Sequence, residues 1–484
     1  MKKIHILGTV LFTLSLMTTS CEKFLEKEPI GSIGKEVLFE DVAGAQLGLT
    51  GSYNLMLQYY KAEFGMYPEI SSDNMVSVSG VNDILANQFN FRSTADEETT
   101  APGHIWQSIY ETLNNVNNVI NAVPALQTAF PRQSAELESI YAQALAIRAI
   151  CHFDLCRTYA QPYNYTADAS HPGIPVLLKT PEPGSEISRN TVKETFDQII
   201  ADLEQSLSLL RNRNSSAQAT IGREAILGLL SRVYLYQENW TKSVEYANEL
   251  ISSNTARLAT ADEYHGTFTK YPAAASPMVE VLFQLSAKGL PFTSAERNIY
   301  SVYSDTLAAK YHASAKLTNL FDTLDIRGTK MFTRKTKGTD QGALFTRKYG
   351  DAVISATSEL SVKVIRLSEV YLNRAEANWQ LGKYNEAAED LLIVSRRAHT
   401  GPVTVSWSSP AALYTLISDE RNRELCFEGH RLFDLNRRKE NLTRGSDCNS
   451  DVCMLTYPND KFILPITRME LDANKAMVQN PGYN

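Results

Sequence analysis

Two stretches of this chain superimpose without a gap. REAILGLLSRVYLYQENWTKSVEYANELI, from Arg223, and YLNRAEANWQLGKYNEAAEDLLIVSRRA, from Tyr371, align when Trp240 is placed on Tyr384. Each reads as two amphipathic helices joined by a short turn, with apolar residues recurring at three and four spacing. Ser231 then falls on Ala375 and Ser243 on Ala387, small side chains where two antiparallel helices must approach closely. A helical pair of this kind cannot bury its apolar face alone, so it demands neighbours to stack on. That requirement points to a mainly α architecture.

The turn LGKY at Leu381 to Tyr384, with an aromatic just after it, resembles the tetratricopeptide helix-turn-helix. The aligned positions Trp240 and Tyr384 lie 144 residues apart, so the reading is a tetratricopeptide-like helical-pair scaffold interrupted by long loop insertions, not an uninterrupted array. Helical spacing also runs through HIWQSIYETLNNVNNVINAV, AELESIYAQALAIRAICHFDLCRTYA and TVKETFDQIIADLEQSLSLL, the last opened by a capping box of Thr191 and Glu194. HPGIPVLLKTPEPGSE (His171 to Glu186) breaks the helices. From Asp262 to Ser361 the pattern turns irregular, with the short strand-like pieces VEVLFQLS and SVKVIRLS, and reads as an insertion.

The N-terminus combines Lys2 and Lys3, an apolar run from Ile4 to Met17, and small residues before Cys21, which is the pattern of a cleaved export signal. A cysteine directly after small residues points further, to a lipoprotein whose Cys21 carries the lipid anchor; Thr18 stands where an apolar residue is usual, and plain secretion is the alternative. No later stretch approaches the roughly 20 apolar residues of a membrane span. The formal charge falls from −7 to −9 once Lys2 and Lys3 leave with the first 20 residues, which argues against a nucleic-acid partner. Of six cysteines, Cys151 and Cys156 sit about 140° apart around one helix and read as buried free thiols, whereas Cys448 and Cys453 can close a small disulfide.

The most chemical-looking stretch is RNRELCFEGHRLFDLNRR, from Arg421 to Arg438. On one continuous helix, Glu420, Glu424 and Glu428 share a face, Arg431 lies three beyond Glu428, and Asp434 three beyond Arg431. Paired carboxylates at that spacing can imitate a glycosidase couple, which needs an open cleft between them. The stronger reading makes Glu424, Glu428, Arg431 and Asp434 structural: partly buried ion pairs that lock a helix to its neighbours, with Gly429 permitting close backbone approach. Nucleophile-elbow, Walker and zincin motifs are missing, and eight scattered histidines show no ligand spacing, so no metal and no cofactor is expected.

ERNRELCFEGHRLFDLNRR (Glu420 to Arg438), RLSEVYLNRAEA (Arg366 to Ala377), FILPITRMELDANKAMVQNPGYN (Phe462 to Asn484) and RNTVKETFDQIIADLEQSL (Arg189 to Leu207) resemble the SusD/RagB-like nutrient-binding lipoproteins of Bacteroidetes. SCEKFLEKEP resembles that family's lipidated start; Leu432, where the family often has an aromatic, departs from the pattern. The resemblance implies a signal peptide over 1–20 and a single SusD-like helical domain over 21–484, divided into an N-terminal half (22–220), a repeat unit (221–260) and a C-terminal half (261–484). It implies a non-catalytic protein held at the cell surface by lipid alone, which binds a glycan and delivers it to a SusC-like TonB-dependent outer-membrane transporter. Peptide capture within the same family and a helical-repeat protein-interaction scaffold are the alternatives.

Sugars are gripped by aromatic faces with polar groups around them. In the family such sites come from loops outside the repeat. Two loops are the candidates here: Glu69 to Phe91, with Asp73, Asn74, Asn82 and Asp83, and Lys288 to Asp305, with Phe292, Tyr300 and Tyr303. Trp240 and Trp379 fall at repeat-core positions and Trp106 in an apolar-spaced helix, leaving Trp407 as the loop-borne tryptophan.

Overall fold

The computed structural model describes residues 34–78, 85–210, 218–269, 277–286, 298–304, 309–338, 340–350 and 361–483. The N-terminal half supplies α1 (Val42–Lys61), α2 (Glu63–Ile70), α3 (Ala101–Ala129), α4 (Ser134–Tyr159) and α5 (Val192–Leu209). The two repeat units follow as α6 (Arg223–Tyr236) with α7 (Trp240–Ser252), and α8 (Leu367–Gln380) with α9 (Tyr384–Ala398). Last come α10 (Pro410–Leu425), α11 (Arg431–Arg437) and α12 (Arg468–Ala473). The capping box stands: Thr191 Oγ1 accepts from the Glu194 N–H at 3.1 Å and Glu194 Oε2 from the Thr191 N–H at 2.8 Å.

Each helix packs on the next, α3 on α4, α4 on α5, α5 on α6, α6 on α7 and α8 on α9. The pairing closes as the small residues require. Ser231, Ser243, Ala375 and Ala387 are fully buried, and Ser243 donates its hydroxyl to the Ser231 carbonyl at 2.9 Å. The two repeat units, distant in sequence, are neighbours in space, because α7 packs directly on α8. The array is therefore continuous in three dimensions, and the described residues between Ser252 and Leu367 form an excursion from it.

That excursion carries most of the strands. The two strand-like pieces predicted from sequence become β2 (Val281–Ser286) and β4 (Ser361–Arg366), which pair antiparallel with a register shift near Phe283; β1 (Met75–Ser77) pairs with β3 (Tyr311–Ala313). One apolar cluster runs from Val42 through the repeat to Met477 and joins the two halves of the chain. Cys151 and Cys156 are buried free thiols, and Cys448 is joined to Cys453 by a disulfide.

The expected single helix through Glu420 to Asp434 is broken. α10 ends at Leu425, and Phe427 and Gly429 take positive φ angles of 67° and 77°, turning the chain before α11 begins at Arg431. Gly429 suits that left-handed position because it has no Cβ. Beyond the turn, Glu69 at the end of α2 accepts from the His430 and Arg431 backbone N–H groups at 3.3 and 3.4 Å.

Candidate functional site

The arginine-rich stretch builds a buried wall. Glu424 is fully buried and accepts from three guanidinium groups, Arg327 at 2.9 Å, Arg366 at 2.9 Å and Arg397 at 2.6 Å. Arg366, at the end of β4, also holds Glu280 and Glu428 at 2.8 Å. Burial alone would lift the Glu424 carboxyl, but Arg397, Arg366 and Arg327 outweigh it and hold the group well below the usual carboxylate range. Asp434 is held down in the same way by Arg421 and Arg437 against its own burial. Glu424 and Glu428 thus share one guanidinium inside the protein and do not face a cleft, so this couple lacks the opening that glycoside hydrolysis needs.

The loop residues expected to bind ligand are absorbed into the same wall. Asp73, buried, accepts from Arg431 at 2.7 and 2.9 Å and pairs with Lys316 at 2.9 Å; burial raises its carboxyl, but these cations hold it far below the ordinary range. Asn74 donates to Glu69 and to Asn422, each at 2.9 Å. Tyr300 and Tyr303 lie on the short helix Ile299–Tyr303 and are 3% and 1% exposed, with the Tyr303 hydroxyl donating to the Met66 carbonyl at 3.0 Å. These four side chains are interior packing and not a sugar platform, because the short helix seats on α2 and the Asp73 turn is pinned from α11. Cys21, Asn82, Asp83 and Phe292 lie outside the described residues.

An open groove lies elsewhere, between the first half of α3, the loop around Pro181, and α12. Its volume is about 590 Å³, within the range of small-ligand sites. Trp106 and Tyr110, one turn apart on α3, line it with ring centroids 4.7 Å apart; the Tyr110 hydroxyl donates to the Pro175 carbonyl at 3.0 Å. Trp106 Nε1 donates to Glu470 of α12 at 3.3 Å, and Glu98 accepts from the Met469 N–H at 2.7 Å, so α12 is stitched across the mouth. Gln107 and Glu111 stand exposed on the rim, and Asn114 is among the lining residues.

Sequence spacing assigned Trp106 to helix packing, and it does pack, at 6% exposed. The signal available was the run Trp106, Gln107, Tyr110, Glu111, two aromatics at four spacing each followed by a polar residue. Among the described residues no group of three or more His, Cys, Asp or Glu is arranged to hold a metal ion, and no helix is long and apolar enough to cross a membrane.

Two sequence models match the chain. One, described as "Starch-binding associating with outer membrane", spans residues 23–235, and the other, described as the SusD family, spans 329–483. A SusD-like protein of Formosa agariphila is 23% identical over 100% of this chain and 99% of its own length. Among solved structures, a putative sugar binding protein from Bacteroides vulgatus is 27% identical with a TM-score of 0.79, over 92% of this chain and 99% of that one. A SusD superfamily protein from Bacteroides thetaiotaomicron has the same fold at 24% identity and a TM-score of 0.80, over 91% of this chain and 100% of that one. A laminarin-binding SusD-like protein does so at 20% identity and a TM-score of 0.72, over 91% and 99%.

Proposed function

The chain belongs to the SusD family, and from that premise we propose that it is a non-catalytic surface lipoprotein that binds a glycan and passes it to a SusC-like TonB-dependent barrel in the outer membrane. The observation that carries the binding step is the groove, where the half-buried Tyr110, backed by the packed Trp106, is bordered by the amides of Gln107 and Asn114. Aromatic faces take the C–H surfaces of sugars, and amides match their hydroxyl groups. The wall supports the absence of chemistry, since its carboxylates are spent on arginines.

Lipid on Cys21 would tether the molecule and leave both helical halves in the aqueous phase. Protease treatment of intact cells tests the location: the protein is cut if it faces outward and spared if it faces the periplasm. Affinity electrophoresis of the soluble chain beginning after Cys21, in gels containing laminarin, starch or other polysaccharides, tests the binding step. Retardation in at least one gel, with the same polysaccharide recovered chemically unchanged, is expected. Failure to bind any polysaccharide in a broad panel, together with failure to recover a barrel from solubilised membranes, would sink the proposal.

A further inference from the structure

The charge of the groove narrows what it takes. Four carboxyl side chains line it, Glu98, Glu111, Glu182 and Glu470, and no lysine, arginine or histidine among the described residues does. Glu98 and Glu470 accept hydrogen bonds from the neutral Met469 N–H and Trp106 indole, and neither forms an ion pair among the described residues, although Arg468 lies near enough to Glu98 to feel its charge. Glu111 and Glu182 are exposed and form no ion pair among the described residues.

The cations nearby do not line the groove, and Lys179, between the lining residues Leu177 and Pro181, forms no ion pair among the described residues. Arg468 pairs with Asp96 at 3.0 Å and Lys475 with Asp472 at 3.8 Å. Arg189, close enough to influence Tyr110, donates to neutral acceptors, the carbonyls of Gly173, Tyr159, Pro172 and Val478 and the amide of Asn480, so its charge persists, but it does not line the groove. The groove therefore presents concentrated negative charge around an aromatic floor, on a chain that is itself net negative.

We infer that this groove selects glycans free of acidic substituents, and rejects uronate-rich or sulfated ones of the same length. The inference rests on the glycan-binding reading and adds the substrate class. Carboxylates accept hydrogen bonds from sugar hydroxyls and so favour a neutral chain. A ligand carboxylate or sulfate meets like charge instead. At a separation of roughly 7 Å in a water-like dielectric, each pair weakens binding about threefold, so several together give at least about tenfold discrimination at low salt, which added salt erodes.

Isothermal titration of the soluble chain with neutral oligosaccharides from laminarin and starch, and with oligogalacturonate and a sulfated oligosaccharide of matching length, tests this. Gln107→Trp places bulk into the groove from an exposed position on α3, and Glu111→Gln with Glu182→Gln removes charge without touching buried contacts. Expected are binding of a neutral probe, at least tenfold weaker in Gln107→Trp at unchanged melting temperature. Acidic probes should bind at least tenfold more weakly than neutral ones, and severalfold better to the double Gln variant at low salt. Equal affinity of wild type for acidic and neutral probes, or neutral binding indifferent to Gln107→Trp, overturns the inference while leaving glycan binding intact. No binding of any probe by the folded wild type overturns the glycan reading itself, and the inference with it.

Discussion

The wall and the groove put the same chemical group, the carboxylate, to opposite ends. In the wall, Glu424 faces Arg327, Arg366 and Arg397 and is shut away from water; in the groove, Glu111 and Glu182 face solvent and form no ion pair among the described residues. The wall is the most chemical-looking stretch of the sequence because it is dense in charge, yet density is what a buried network needs, since every ion taken from water must find its counter-ion, and the structural reading of Glu424, Glu428, Arg431 and Asp434 rests on that. The groove looked like ordinary helix because its charges, gathered in space, are scattered along the sequence. What separates a structural cluster from a binding site here is whether the charges are satisfied by each other.

The comparison is broken most severely by removing one guanidinium from the wall. Arg366→Met takes a guanidinium from Glu280, Glu424 and Glu428 at once, leaving them to Arg397, Arg327 and Lys348, and breaking a buried ion network in this way costs on the order of 3–5 kcal/mol. Chemical denaturation should record a loss of that size or an insoluble protein; a loss below about 1 kcal/mol would mean the wall is not what joins α10 to β4.

A milder assault is acid. Glu420 and Glu369, raised by burial but pulled down more strongly by Arg327 and Arg232 respectively, sit at about 2 when folded. Their carboxyls hold protons less readily in the folded chain than in the unfolded one, so their stabilisation is full above the ordinary carboxylate range and is lost as pH falls from there toward 2. His152 and His430, lowered by burial to about 3, act earlier: the unfolded chain gains their protons below about 6.5 and the folded chain does not. Glu69, Asp154, Asp202 and Asp390, whose carboxyls burial raises, pull the other way above pH 4. Melting temperature should therefore sag gently through the histidine range and fall steeply below about pH 4. A plateau down to pH 3 contradicts the paired wall.

The smallest expected effect sharpens the contrast from the other side. Glu111→Gln with Glu182→Gln should change unfolding free energy by less than about 0.5 kcal/mol, as for surface positions without buried partners. A loss of 2 kcal/mol or more would place these carboxylates in the structure and not in the binding surface.

Several features could be read from the residues. Apolar spacing gave the helices, Thr191 and Glu194 the cap, and the alignment of Ser231 with Ala375 and of Ser243 with Ala387 the closely approaching pairs. The break at Gly429 was less legible, because three and four spacing continues across it while the backbone turns. Tyr300 and Tyr303 misled for a related reason: an aromatic in a polar loop has the same sequence signature whether it faces a ligand or seats on α2. The adjacency of α7 and α8 could not be read either, since the chain leaves and returns between them.

Local pattern alone determined that this protein is an assembly of helical pairs, because periodicity fixes which face of a helix must be covered and small residues fix where two helices can meet. Only the tertiary structure decided which charges cancel. Arg327, Arg366 and Arg397 come to Glu424 from distant parts of the chain, and Glu470 reaches Trp106 from α12 across the groove. Electrostatic satisfaction depends on distance in space and on exclusion of water, and neither is written in residue spacing.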